Sequence, residues 1–403
     1  MKKISLCVIN SISESEENSR CKESILQNLE NIYEVISLNP LDIPKNIVLK
    51  TESKNEADIR NEMIRTSKGD YLLWIDNATQ FEDSTIEEYI EILEEKDTDI
   101  IYPNEIIINS RKEERVVNHS SWEEKESELL QTLNIENEIP KWGVMTKKEI
   151  FDRYGFFEKD YDEFSFYAFL YKNIKNLRLS LSELSFVTNY AYETFTDTSL
   201  NSKLLREILN KYDIKEDIFV HLNWKNENIA YATVYTLIGD KLSEFKDFFN
   251  ASEFYRKALL SFHNKESLKK LIDAYYNMGL FDEAKKLLEK QGLDSQESHN
   301  IKEKIESTEK LVKELENLVE QGKASDVLHT LNDILSVYKG APIYNIFGII
   351  FFIKQDLDTA FRFFYTAATL NPIDRDILYN IADIAKKIKR EEEVSSLYYR
   401  LTK

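Results

Sequence analysis

No proline falls between Pro140 and Pro342, whereas four of the six prolines lie at or before Pro140. Proline fixes φ and has no amide hydrogen, so helix interiors exclude it. The proline-free stretch is rich in Lys, Glu, Leu and Tyr, a composition that favours long continuous helices. The chain therefore reads as two halves with different grammar, and its 403 residues allow two or more domains.

The first half alternates short apolar runs with amphipathic stretches. Residues 4–9 (ISLCVI), 33–38 (YEVISL), 47–50 (IVLK), 71–75 (YLLWI) and 99–103 (DIIYP) predict strands, being short, β-branched or aromatic, and bounded by polar or turn residues. Helices are expected near 15–29, 55–67 and 84–95. Ser84 with Glu87, and Thr146 with Glu149, have capping-box spacing, and Gly155 fits a helix stop. The stretch NLRLSLSELSFVTNY closes this half with alternating apolar residues. Strands alternating with helices imply an α/β domain with a mostly parallel sheet, in which ligands bind beyond the carboxyl ends of strands. Asp76 follows YLLWI at such an end.

The second half repeats with a period of about 34 residues. In 341–374, the residues Tyr344, Phe347, Gly348, Phe351, Ala360, Phe364, Ala367 and Pro372 occupy the positions of a tetratricopeptide (TPR) unit. The small residues let two antiparallel helices approach, and the aromatics fill the gaps between successive pairs. Residues 265–292 place Leu268, Leu271, Tyr275, Gly279, Phe281, Ala284 and Leu288 in the same pattern. Weaker copies begin near 232 (Ala251, Tyr255, Ala258) and near 308 (Gly322, Val327, Leu331, Ile334), and a partial copy runs from Arg375. A generic helical bundle is the plainer reading of this half.

The formal net charge is −19. A surface this acidic repels nucleic acid and anionic membrane, and it keeps a protein soluble or steers a basic partner. No apolar run reaches the ~18 residues of a membrane span, and the N-terminal run is too short for a secretion signal, so a cytoplasmic protein is expected. Cys7 reads as a buried thiol, and its spacing from Cys21 fits no zinc pattern. The five histidines are scattered and are assigned no metal.

The segment NEADIRNEMIRTSKGDYLLWIDNATQFE resembles a stretch of family-2 glycosyltransferases. There an Arg-Asn pair, a helix, a Gly-Glu/Asp-Tyr turn and an apolar strand lead to Asp-x-Asp. Arg60–Asn61, then Ser67, Gly69, Asp70 and Tyr71, then LLWID match in order. Further on, KKEIFDRYGFFEKDYDEFSFYAFLY resembles that family's helix, Gly-Phe-Asp-Glu turn and acidic pair. The resemblance covers about residues 1–190 and implies a GT-A fold, Rossmann-like. It also implies an inverting transfer of sugar from a nucleotide-sugar donor, a UDP-sugar first among them, with a divalent Mn²⁺ or Mg²⁺.

By the resemblance, Asp76 is the metal or diphosphate ligand; otherwise it is a strand-end residue capping the next turn. Carboxylate-held metal neutralises the charge that grows on the leaving diphosphate, and hard cations take oxygen ligands. The second Asp position is Ala78. Asn77 offers a neutral oxygen or serves the turn. Arg60 is placed near the nucleotide, or else on the surface. Asn10 and Asn39 are the remaining candidates for nucleotide contact: the family's Thr-Tyr-Asn type loop after strand one is here Asn10-Ser11-Ile12, and its Asp-rich turn after strand two is reduced to Asn39 and Asp42. Asp162 or Glu163 is the candidate base that takes the acceptor hydroxyl proton; the family shows Glu-Asp where this chain shows Asp-Glu. Trp122 and Trp142 flank this segment as sugar platforms or as ordinary packing residues. The acidic run 113–128 is expected to be a solvated loop.

The combined expectation is a GT-A domain over 1–195, a helical connector over 196–230 and an all-α TPR superhelix over 231–403. A sugar-transferring domain beside a peptide-binding one implies a protein or peptide acceptor held by the repeats, similar to fusions among bacterial enzymes that glycosylate proteins. The repeats could also form a homodimer. The alternative is a catalytically degenerate glycosyltransferase-like scaffold for an active partner; a plain TPR adaptor is a third reading.

Overall fold

The computed structural model describes residues 2–9, 16–82, 84–109, 112–121, 139–191, 198–290, 295–391 and 393–394. Two compact units divide the chain, residues 1–221 and 222–403.

The first unit is built on β1 (Ile4–Val8), α1 (Glu16–Gln27), β2 (Glu34–Ser37), β3 (Asn46–Val48), α2 (Glu56–Thr66), β4 (Tyr71–Ile75), β5 (Gln80–Phe81) and α3 (Thr85–Glu95). There follow β6 (Ile100–Asn109), β7 (Glu114–Val117), β8 (Val144–Lys147), α4 (Ile150–Tyr154), α5 (Ser165–Asn173), β9 (Leu179–Ala191) and α6 (Thr198–Lys211). The strands form one sheet in the order β3-β2-β1-β4-β8-β6-β9-β5, with β7 on β6. β3, β2, β1 and β4 run parallel, so their carboxyl ends share one edge.

β1 and β4 are buried along their whole length, as expected of parallel strands covered on both faces. Their side chains alternate between those faces. Ile4, Leu6, Val8, Tyr71, Leu73 and Ile75 pack with Cys21 and Ile25 of α1 and Ile86, Tyr89 and Leu93 of α3. On the other face, Trp74 meets Phe157 edge-on at 5.8 Å, and Phe157 continues to Phe151 and Phe169.

The sheet is mixed rather than mostly parallel, because β8 inserts antiparallel between β4 and β6. The expected capping box at Thr146 is not formed. Thr146 lies inside β8, where its hydroxyl accepts from the Trp74 indole N–H at 2.8 Å. The helix starts at Ile150 and stops at Gly155, whose φ of 91° suits glycine. Ser84 makes no side-chain cap to α3 either. Strand β6 runs on through Pro103 with a register shift at Pro103/Asn104, as proline in a strand requires. Within the run 113–128, residues 114–117 are strand β7 rather than loop; residues 122–128, Trp122 among them, lie outside those described.

The second unit is helical: α7 (Glu227–Glu244), α8 (Phe248–Ser261), α9 (Lys265–Met278), α10 (Phe281–Lys290), α11 (Ser295–Glu320), α12 (Ala324–His329), α13 (Leu331–Val337), α14 (Ala341–Ile353), α15 (Leu357–Leu370) and α16 (Arg375–Ile388). The same device closes two of the hairpins. A Cβ at Gly239 would lie 2.5 Å from the Tyr255 ring, and one at Gly348 would lie 2.5 Å from the Phe364 ring. In each hairpin an aromatic on the second helix presses on a glycine of the first. Among the described residues no helix is long and apolar enough to cross a membrane.

Candidate active site

The parallel strands end where the chain turns away from the sheet, and Asp76 stands directly after β4 at that edge. Its Oδ1 accepts from the amides of Ala78 (2.9 Å) and Thr79 (2.7 Å) and from the Thr79 hydroxyl (2.7 Å). The Asp76 N–H donates to Thr79 Oγ1 at 3.1 Å, and Asp76 O accepts from the Cys21 thiol at 3.7 Å. Asp76 therefore caps its own turn with one carboxylate oxygen, Oδ1.

Ala78 is 2% exposed, so the second motif position points into the protein. Among the described residues no group of three or more His, Cys, Asp or Glu could hold a metal. The donor set therefore does not fit a two-carboxylate metal site.

Asn39 lies exposed just beyond β2 at the same edge, and its carbonyl accepts from Ser37 Oγ at 2.6 Å. Asn77 is half-buried in the Asp76 turn. Asn10 lies outside the described residues. Cys7 and Cys21 are buried free thiols, and burial pushes both thiol pKa values upward.

Arg60 is not a surface residue. It is fully buried on α2, with its guanidinium 5.0 Å from the Trp74 ring, 4.9 Å from Trp142, 5.5 Å from Phe157 and 5.7 Å from Phe166. Such ring faces attract a cation. Its Nε donates to Glu56 Oε1 at 2.8 Å, one helical turn back, while Nη1 and Nη2 have no hydrogen-bond partner among the described residues. The other Glu56 oxygen accepts from Lys141 Nζ at 2.9 Å. Burial pushes the Lys141 pKa down; Glu56 opposes that shift and Arg60 adds to it.

Lys141 and Trp142 reach this place through the sheet. The Gly143 N–H donates to Trp74 O at 2.8 Å, and Val144 of β8 pairs with Trp74. The chain thus enters β8 at the carboxyl end of β4, on the edge that carries Asp76. Sequence reasoning missed Glu56 and Lys141. The four-residue spacing of Glu56 and Arg60 was visible, but nothing local marks Lys141.

The acidic pair divides in role. Asp162 Oδ1 accepts from the Glu56 amide at 2.6 Å, holding the first turn of α2. Its φ of 43° is left-handed, a strained placement of the kind that clusters at functional sites. Glu163 is exposed and makes no hydrogen bond or ion pair among the described residues. Asn61 ties the same helix to the turn before Asp162, exchanging hydrogen bonds with Phe157 O (2.8 Å) and N (3.0 Å).

Residues 23–155 match the family model described as Glycosyl transferase family 2. The first unit thus carries a glycosyltransferase family 2 domain, and the match supports an enzyme that transfers sugars. No curated protein matches the chain. Among solved structures, the chain is similar to Staphylococcus aureus TarS. It is 14% identical to TarS 1–349 over 68% of this chain and 89% of that one, with a TM-score of 0.38. For TarS 1–349 in complex with UDP-GlcNAc the identity is 14% over 71% and 83%, with a TM-score of 0.41. For the longer TarS chain it is 15% over 68% and 54%, with a TM-score of 0.39.

Proposed function

We propose that the first unit transfers a sugar from a nucleotide-sugar donor, taken to be a UDP-sugar, and that the second unit holds a protein or peptide acceptor. One observation carries the reading. Asp76, Asn39, Lys141 and Trp142 gather at the carboxyl edge of the sheet, within or beside the segment that matches the family model. That edge is where open α/β sheets bind ligands.

In this reading Asn39, Asn77 and Asp76 Oδ2 face the nucleotide. Arg60 positions Glu56 from inside. Glu163 is the base that removes the acceptor hydroxyl proton, because Asp162 is committed to the Glu56 amide. Asp76 is the residue that would hold a divalent cation, which would supply positive charge to the donor diphosphate. Trp142, half-buried beside the ammonium of Lys141, serves as a wall of the sugar site.

The acceptor reading is supported by the recurring glycine–aromatic contacts of the second unit, the spacing of TPR units. A cavity of about 290 Å³ lies against α7, lined by Ile229, Thr233, Leu237 and Phe262 and by Asp240 and Glu266, both ion-paired with Lys270. It suits an apolar side chain. A homodimer through the same helices is the competing use of that face.

A second reading, a scaffold without activity, is favoured by the turn-capping use of Asp76 Oδ1 and by buried Ala78. Incubation with UDP-GlcNAc and other nucleotide sugars decides between them. Slow donor hydrolysis without acceptor, abolished in Glu163→Gln, is expected of the enzyme. No binding and no hydrolysis with any donor would leave the scaffold.

A further inference from the structure

We propose that the Lys141 ammonium receives the diphosphate of the nucleotide-sugar donor, supplying the positive charge that the motif's second carboxylate would otherwise recruit as a metal. The inference rests on the donor reading given above and assigns that site's anion-binding group.

The charge balance points to it. Glu56 is one carboxylate between two cations, with Oε1 on Arg60 at 2.8 Å and Oε2 on Lys141 at 2.9 Å. Those three groups together carry one positive charge, and exposed Glu163 is a further carboxylate within electrostatic reach of Lys141. Arg60 is sealed at 0% side-chain exposure, whereas the Lys141 side chain retains 19%. Only Lys141 can meet an incoming anion. An ammonium carries three donors; one is spent on Glu56.

Position agrees. Hydrogen bonding of Gly143 to Trp74 O fixes the segment 141–143 at the end of β4, the edge on which Asp76 lies. There the motif's second carboxylate is replaced by buried Ala78. A cation already held in place by Glu56 and by the Trp142 ring at 4.7 Å needs little rearrangement when charge grows on the leaving group. Burial and Arg60 press on the Lys141 charge while Glu56 and Glu163 support it, and a bound diphosphate would add to that support.

The test is calorimetric titration of the full chain with UDP, GDP, CDP and dTDP, and with the four matching nucleosides. It is run in EDTA and then in Mn²⁺, on wild type, Lys141→Met and Lys141→Arg. In EDTA, Lys141→Met should weaken the preferred diphosphate about 10- to 100-fold and leave its nucleoside unchanged, with Lys141→Arg in between. Three results overturn the inference: diphosphate affinity unchanged in Lys141→Met, an equal loss for diphosphate and nucleoside, or wild-type affinity seen only with Mn²⁺. No affinity for any diphosphate in either buffer would remove the donor reading itself, and this inference with it.

Discussion

Asp76 and Thr79 are locked to each other from both sides. The Thr79 amide and hydroxyl both donate to Asp76 Oδ1 at 2.7 Å, and the Asp76 amide donates back to Thr79 Oγ1 at 3.1 Å. A motif carboxylate is thereby half structural. Asp76→Ala should cost about 1–2 kcal/mol by analogy with lost caps, while Asp76→Asn keeps an Oδ1 acceptor and should unfold within about 0.5 kcal/mol of wild type. Urea titrations of both variants check this. Equal destabilisation would mean that the charge, not the turn, is what the fold uses.

Gly69 admits no side chain. A Cβ there would lie 2.4 Å from Ser5 Oγ and 2.8 Å from Lys3 O, and Ser5 Oγ is itself bonded to Glu34 at 2.7 Å and to the Gly69 amide at 3.0 Å. Gly69→Ala should destabilise the first unit by about 1–3 kcal/mol through overpacking. Thermal unfolding measures the loss. A variant as stable as wild type would show that β1 and the turn can separate freely.

Asp162 and Glu163 should respond oppositely to neutralisation. Asp162→Ala removes the acceptor for the Glu56 amide and should cost about 1 kcal/mol or more of stability. Glu163→Gln should leave the melting temperature unchanged and slow turnover about 100-fold or more. Paired melting curves and rate measurements separate the two. A stable Asp162→Ala beside a destabilised Glu163→Gln would reverse the assignment.

Asp99, 1% exposed in its side chain, takes a two-pronged contact from Arg178 at 2.9 and 3.0 Å. Burial alone would raise the Asp99 pKa, but the bonds from Arg178 outweigh it and hold it below the ordinary carboxylate range. A carboxylate depressed on folding gives its full stabilisation above the unfolded value of about 3.9, and loses it as pH falls through the lower folded value. Between about pH 4 and 2, Asp99→Asn should therefore lose stability less steeply than wild type. Denaturant midpoints taken across that range test it, and parallel slopes would count against the pair.

Gly348 lies against the Phe364 ring with no room for a methyl group. Gly348→Ala should destabilise the second unit by about 1–3 kcal/mol, and the double variant with Phe364→Leu should recover part of that loss. Double-mutant unfolding data check the coupling. Additive losses would mean that the hairpin does not depend on this contact.

Much of the framework was already legible along the chain. Short apolar runs bounded by polar or turn residues marked β1, β2, β4 and the start of β6, because strands buried on both faces read as continuous apolar runs. Helices over 16–27, 56–66 and 85–95 followed from amphipathic spacing, and the glycine–aromatic rhythm of the second unit from the repeat. The place of Asp76 at the end of β4 was legible because the strand before it was; its role as a ligand came from the family resemblance.

Other features depend on residues far apart in sequence. Thr146 had helix-cap spacing, yet strand pairing with β4 and the Trp74 indole claimed it for β8. Arg60 carried no local sign of burial; four rings from separate segments enclose it. Glu56 and Lys141 stand 85 positions apart and meet at 2.9 Å only because β8 pairs with β4. Local sequence fixes what each segment can bury, since periodicity is a property of neighbours. Which charges face one another is decided by sheet register, and only the folded chain sets that.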